Sequence, residues 1–225
     1  MSATTADGEG RARRSTPPGY PPRIGLTGSV GAGKSSVARR LAARGALVID
    51  ADVLARRATE DPEVLARIAE ALGPELVAGG RLDRAATARR VFGDAEARRR
   101  LEAIVHPWVR SAAAAAEAEA MAATPAPHVI VHDVPLLFEN GLDAGMDATI
   151  VVDAPFAQRA ARLAARSAMD EAAVRARDAA QWGPEEKARR ATFVIDNGGD
   201  EEALDAAVAE LWPRLLSLAG ARSRW

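Results

Sequence analysis

Residues 28–35 read Gly28-Ser29-Val30-Gly31-Ala32-Gly33-Lys34-Ser35 and satisfy G-x-x-x-x-G-K-[ST] at every fixed position. No other feature of the chain limits its folding so narrowly. Such a loop needs a strand that delivers it and a helix that leaves it, so that backbone N–H groups and the positive helix N-terminus converge on one anion. The flanks supply both. Residues 23–27 form a short apolar strand candidate running into Gly28, and residues 34–44 put Val37, Leu41 and several alanines on one helical side before a stop at Gly45. A glycine-rich turn matching by chance would lack this context. Lys34 sets a compact positive charge near the β- and γ-phosphates of a nucleotide, and the Ser35 hydroxyl can ligate Mg2+.

Beyond the loop, apolar strands alternate with helices. Further strand candidates lie at 46–49, 129–131, 148–152 and 192–195, followed by Asp50, Asp133, Asp153 and Asp196. Residues 53–123 are almost wholly helical in pattern, with breaks at Asp61-Pro62, Gly73-Pro74, Gly79-Gly80 and His106-Pro107. The alanine-rich run at 112–123 reads as ordinary helix, since alanine is the best helix former. A charged helical segment covers 156–190, and a last helix covers 200–218 with Glu201 and Glu202 in its dipole-favoured first turn. Short strands separated by helices predict a parallel sheet covered on both faces. The expected organisation is a flexible tail at 1–22, then one domain over 23–220 with a helical acceptor lobe at about 53–123 and a lid at about 156–190.

Composition narrows the partners. Of 225 residues 48% are apolar, enough for a sizeable core, and the formal net charge of −1 argues against nucleic acid or an anionic membrane as the main partner. The absence of cysteine excludes disulfides, thiolate catalysis and cysteine-based zinc sites. No apolar run approaches the roughly 20 residues of a membrane span, and the first 22 residues lack a secretory apolar core. A soluble cytoplasmic protein is expected, of open oligomeric state. Lys34 and Lys187 are the only lysines among 30 basic residues. The arginine and alanine bias looks like genome-wide codon pressure, against which the two lysines stand out.

Several P-loop classes fit poorly. A regulatory GTPase would carry an N-K-x-D base-reading motif, and Asn197-Gly198-Gly199-Asp200 lacks the lysine. Motor-type ATPases usually end a strand on paired acids, where His132-Asp133-Val134 supplies one. A small kinase suits the size, the helical lobe and the late basic segment of Arg159, Arg162, Arg166, Arg175, Arg177 and Lys187. Arginines closing over a transferring phosphoryl group stabilise its charge and exclude water. Taken singly, each could equally belong to a solvated helix face.

At this point the residues resemble one family, dephospho-CoA kinase. The likeness runs from Ile24-Gly25-Leu26-Thr27-Gly28 through Val48-Ile49-Asp50-Ala51-Asp52, His106-Pro107 and Val134-Pro135-Leu136-Leu137-Phe138-Glu139 to Phe193-Val194-Ile195-Asp196-Asn197-Gly198. It implies ATP-dependent phosphorylation of the ribose 3′-hydroxyl of dephospho-CoA, the last step of CoA synthesis. It also implies a P-loop kinase-like parallel five-stranded sheet flanked by helices, with an inserted helical substrate lobe and a lid. From the residues alone two alternatives stay open: another small-molecule or nucleoside kinase, and a nucleotide-dependent switch without transfer chemistry.

Residue by residue, the resemblance implies a nucleotide cradle of Gly28, Gly31, Ala32, Gly33, Lys34, Ser35 and Ser36, with Arg162 and Arg166 from the lid and Asn197 and Gly198 near the adenine. Catalytic parts fall to Lys34, Arg162 and Asp52, the last taking the acceptor proton. ATP and Mg2+ are the implied cofactors, the metal on Ser35; Asp133, by its own position at the end of a central strand, could help hold it through water. Competing readings are an N-cap role for Asp52 on a helix from Val53, an Asn-Gly turn at 197–198, and a capping role for Asp133. Asp50 is expected to be structural or a water-mediated metal neighbour. Ser167, Asp178 and Asp133 depart from the family's usual residue types.

Overall fold

The computed structural model describes residues 20–167 and 169–220, so most of the tail expected at 1–22 lies outside the described residues. The chain divides into two compact units, one built from the segment up to Val48 together with the segment from Pro127 on, the other from Ile49–Ala126.

The first unit is an α/β sandwich. In chain order it holds β1 (Arg23–Gly28), α1 (Lys34–Ala42) and the start of β2 (Ala46–Asp50, which runs across the division). After the second unit, whose elements are α2 (Ala51–Ala58), α3 (Pro62–Leu72), β3 (Val77–Ala78), β4 (Arg81–Leu82), α4 (Arg84–Val91) and α5 (Ala95–Ala122), it resumes with β5 (Val129–Asp133) and β6 (Ala148–Asp153). The segment expected to form a lid holds α6 (Phe156–Ser167), α7 (Glu171–Ala179) and α8 (Pro184–Arg190), followed by β7 (Phe193–Asp196) and α9 (Glu201–Gly220).

The five-stranded sheet has the order β2-β5-β1-β6-β7. Strand β1 pairs in parallel with β5 and β6, and β6 with β7, so crossovers must run over the faces and each inner strand is buried on both sides. Ile24, Leu26, Val129, Val131, Ile150 and Val152 accordingly have no exposed surface. Helices α1 and α9 close the core through Val37, Leu41, Leu204, Val208 and Leu215. Arg40 ties the two helices together through Asp205 at 2.6 Å and through Glu201. The pairing register sets Leu26 beside Asp133 and Gly28 beside Val152, which gathers the carboxyl ends of β5, β1 and β6 at one edge. Open parallel sheets bind ligands at this edge, because loops and helix N-termini converge there.

The second unit is a helical lobe around Ala58, Val64, Ile68, Leu72, Leu76, Ala97, Ile104 and Val105. Asp50, Asp61, Asp83 and Asp94 each accept a backbone N–H at a helix start, which explains four well-defined N-termini in so short a stretch. Three expectations are corrected here. Gly79-Gly80 turns a two-stranded hairpin, β3 against β4, where only a helix break was expected. His106-Pro107 breaks nothing: α5 passes through Pro107, flanked by buried Ile104 and Val105 and by Trp108, whose indole N–H donates to Asp61 at 3.0 Å. Tertiary anchoring on both sides offsets the one backbone bond that proline removes. Finally, α2 starts at Ala51, not at Val53, and its N-cap is Asp50, which accepts from the Val53 amide at 2.9 Å.

Candidate active site

The loop between β1 and α1 is held from outside by α6 and by the turn after β7. Gly33 sits at the N-cap of α1 with φ 94° and ψ 25°, and no side chain caps the helix. The first turn of α1 therefore keeps its orphan N–H groups for an anion, with the helix dipole behind them. The left-handed conformation favours glycine, and space demands it as well: a Cβ on Gly33 would lie 2.1 Å from the Asn197 side-chain nitrogen. Gly28 is excluded from substitution by a close approach, since a Cβ there would lie 2.2 Å from the Val152 carbonyl oxygen.

Asn197 is buried, with its side-chain amide donating to the Ala32 carbonyl at 2.7 Å and its backbone amide to the Asp153 carbonyl at 2.7 Å. The side chain expected near the adenine thus braces the loop. Gly198 gives its carbonyl to the Gln158 amide at 2.9 Å. Arg162 donates through Nη2 to the Asn197 carbonyl at 2.8 Å. Its Nη1 is buried with no partner among the described residues and lies 3.9 Å from the Cβ position of Gly33. A buried guanidinium N–H without an acceptor is costly unless a ligand supplies one. Arg166, one helical turn on, lies exposed near the end of α6.

Lys34 is half-buried at the start of α1 and Ser35 is exposed beside it. Ser36 donates its amide to the Gly33 carbonyl at 2.9 Å and closes the first turn. Asp133 ends β5 and is buried against β1 at Leu26. The segment after it is drawn over β1 by two bonds, Val134 N–H to the Leu26 carbonyl at 2.9 Å and the Thr27 hydroxyl to the Pro135 carbonyl at 2.9 Å. Within the helical unit, Asp52 is exposed in the first turn of α2 and is relieved of capping by Asp50.

Two buried cations escape a reading by residue type. Arg159 is 3% exposed and Lys187 has no exposed surface. The Lys187 ammonium donates to the Pro135 carbonyl at 3.2 Å and the Gln181 side-chain carbonyl at 3.2 Å, and meets Glu139 at 3.0 Å. Glu139 also accepts the Trp182 amide at 2.9 Å, so the acid of the Val134–Glu139 stretch is the anchor of the α7–α8 turn. Burial holds the Lys187 ammonium below the ordinary lysine value, opposed by Glu139 and reinforced by the charge of Lys34. The scarcity of lysine was a signal for Lys187; nothing in the sequence sets Arg159 apart from its arginine neighbours.

A central strand, a phosphate-cradling loop and a guanidinium waiting beside it are the working parts of P-loop phosphotransferases of the small-kinase type. Comparison with known proteins is narrower still. The family model described as Dephospho-CoA kinase matches residues 23–202. A dephospho-CoA kinase from Deinococcus radiodurans is 53% identical over 198 residues, covering 86% of this chain and 94% of its own. One from Thermobifida fusca is 48% identical over 195 residues, covering 86% and 96%. A crystal structure from Thermus thermophilus superposes with a TM-score of 0.76 at 41% identity, covering 87% of this chain and 98% of that one. The chain belongs to the dephospho-CoA kinase family. It is an ATP-dependent kinase acting on a hydroxyl group, in the final step of CoA biosynthesis.

Proposed function

We propose that the chain transfers the γ-phosphoryl group of ATP to the ribose 3′-hydroxyl of dephospho-CoA, with Mg2+, and that the site residues act as follows. The observation that carries the assignment of roles is the Arg162 Nη1, buried without a partner beside Gly33 and the uncapped start of α1. The loop of Gly28, Gly31, Ala32, Gly33, Lys34, Ser35 and Ser36 holds the phosphates through the backbone N–H groups that its own turns leave free and through the Lys34 ammonium. Arg162 faces the charge that spreads over the transferring group, a kind of contact that strengthens in the transition state. Arg166 joins it when the lid of α6–α8 closes and excludes water. Asn197 and Gly198 border the base while bracing the loop. Asp52 accepts the proton of the attacking hydroxyl, for which an exposed carboxylate with no capping duty is suited.

The donor set fits magnesium. Ser35 offers a hydroxyl and Asp133 a carboxylate, both hard oxygen donors, and no group of three or more acidic or histidine side chains suited to a metal occurs among the described residues. Mg2+ in kinases is held by one or two protein oxygens plus phosphate oxygens and water, not by a protein cage. When bound it neutralises charge on the β- and γ-phosphates. The absence of cysteine supports a cytoplasmic location, and no helix among the described residues is long and apolar enough to cross a membrane.

Mass spectrometry of products tests the proposal. Purified protein with ATP, Mg2+ and dephospho-CoA should yield ADP and CoA phosphorylated at the 3′ position. Transfer confined to a nucleoside or nucleoside monophosphate in an acceptor panel would overturn it.

A further inference from the structure

We infer that Arg159 and Asp178 form a latch that transmits the position of lid helix α7 to the P-loop, which makes them positioning residues for nucleotide binding. Arg159 lies in the first turn of α6, and its one guanidinium serves three elements. Nε donates to the Ala154 carbonyl at 3.1 Å, at the end of β6. Nη1 donates to the Val30 carbonyl at 3.1 Å, on the outer limb of the P-loop, and to Asp178 Oδ1 at 3.0 Å. Nη2 meets Asp178 Oδ2 at 2.8 Å. The backbone of the same residue also abuts the loop: a Cβ on Gly31 would lie 2.9 Å from the Arg159 carbonyl oxygen.

Asp178 gains nothing from its own helix. It stands in the last turn of α7, where the macrodipole disfavours a carboxylate, and it is largely shielded from water. Its stabilisation comes from Arg159, in the two-pronged geometry that a planar guanidinium makes with a carboxylate. Because the guanidinium is rigid, a shift of α7 moves the donor that fixes Val30. The Val30 carbonyl belongs to the peptide preceding Gly31, so its direction sets the direction of the Gly31 N–H in that same planar unit. That N–H is one of the cradle's anion donors, and α7 thereby acts on ATP affinity without touching ATP.

The inference rests on the P-loop being the nucleotide site. Isothermal calorimetry with ATP·Mg2+, alongside KM values for ATP and for dephospho-CoA, tests it on three proteins besides the wild type. Asp178→Asn keeps the shape and removes the charge. Arg159→Met removes every donor. The double variant Arg159→Met/Asp178→Leu replaces the buried pair by apolar groups, a change that is often neutral for stability and so guards against misfolding. Each should bind ATP about tenfold more weakly, within the range seen for residues of a coupling element, and leave the KM for dephospho-CoA within about twofold. A purely structural pair would lower the melting temperature and leave the ATP Kd of the folded protein unchanged. Wild-type affinity in the double variant, or an equal rise in both KM values, would overturn the latch. No heat from the wild type would overturn the nucleotide site and the latch together.

Discussion

Replacing Gly33 by alanine tests the brace between the P-loop and the turn after β7. Gly33 adopts φ 94°, and an added Cβ would come within 2.1 Å of the Asn197 side-chain nitrogen. That nitrogen cannot move aside freely, because it donates to the Ala32 carbonyl at 2.7 Å inside the protein. Two costs follow. A left-handed alanine is worth about 1–2 kcal/mol of strain, and a buried carbonyl stripped of its donor costs about 1–3 kcal/mol. Gly33→Ala should therefore destabilise the protein by about 2–5 kcal/mol, a large share of a typical domain's stability.

The combination with Asn197→Ala discriminates this reasoning from a simple sum of local damage. Asn197→Ala alone bares Ala32 and costs about 1–3 kcal/mol. In the double variant the clash has gone and the hydrogen bond is lost once, not twice. Urea unfolding of the four proteins should show the double variant more stable than the summed single effects by about 1–3 kcal/mol. Strictly additive costs would refute the brace, as would a Gly33→Ala protein within about 0.5 kcal/mol of wild type, the level expected of a neutral surface change.

Lys34→Ala should abolish measurable turnover and weaken ATP binding in calorimetry; retention of turnover would remove the lysine from the cradle. Asp52→Asn should lower kcat by about 10²–10⁴-fold, the usual worth of a general base, with the Kd for ATP unchanged; near-normal kcat would leave that carboxylate without a chemical part. Arg162→Met should lower kcat by about 10²–10³-fold, as loss of a transition-state charge contact does, and more than it raises the KM for dephospho-CoA. In the helical unit, the Trp108 indole first and the Val64 and Glu63 amides next hold the Asp61 carboxyl below its ordinary 3.8. A depressed carboxylate stabilises the fold above its unfolded value and loses that contribution as pH falls through the lower folded value. The stability gap between wild type and Asp61→Ala, from urea unfolding, should hold near neutrality and narrow below about pH 3.8; a gap constant across that range would refute the linkage.

How much of this was legible beforehand depends on the distance over which each feature is determined. The P-loop was legible because strand, glycines and helix are consecutive in the chain, and β2, β5, β6 and β7 followed from apolar runs closed by acids. The hairpin at Gly79-Gly80 was missed because two residues on either side are too few to show a period. Helix α5 was wrongly cut at Pro107 because its anchor, the bond from Trp108 to Asp61, spans 47 positions. The helix cap fell to Asp50, and Asp52 two residues later could not be told from it by type. Asn197 was expected near the adenine, with an Asn-Gly turn as the alternative, and its brace was missed because the bond to Ala32 spans 165 positions. Asp178 stood out as an unusual residue, but its reason, the Arg159 guanidinium, lies on another helix.

Lys187 shows how composition and geometry meet. An ammonium carries three N–H donors in tetrahedral array, and here it meets three acceptors on Pro135, Gln181 and Glu139. A planar guanidinium in the same enclosed space would point its five donors elsewhere, which suits lysine to this position in a chain otherwise rich in arginine. The two surviving lysines are moreover coupled, since the charge of Lys34 helps to depress Lys187. Repulsion between two held ammonium groups is a cost carried by the protein without nucleotide, and under the proposed function a polyphosphate beside Lys34 would offset it. The same fixed charges that make the apo site unfavourable are therefore those that favour its anionic ligand.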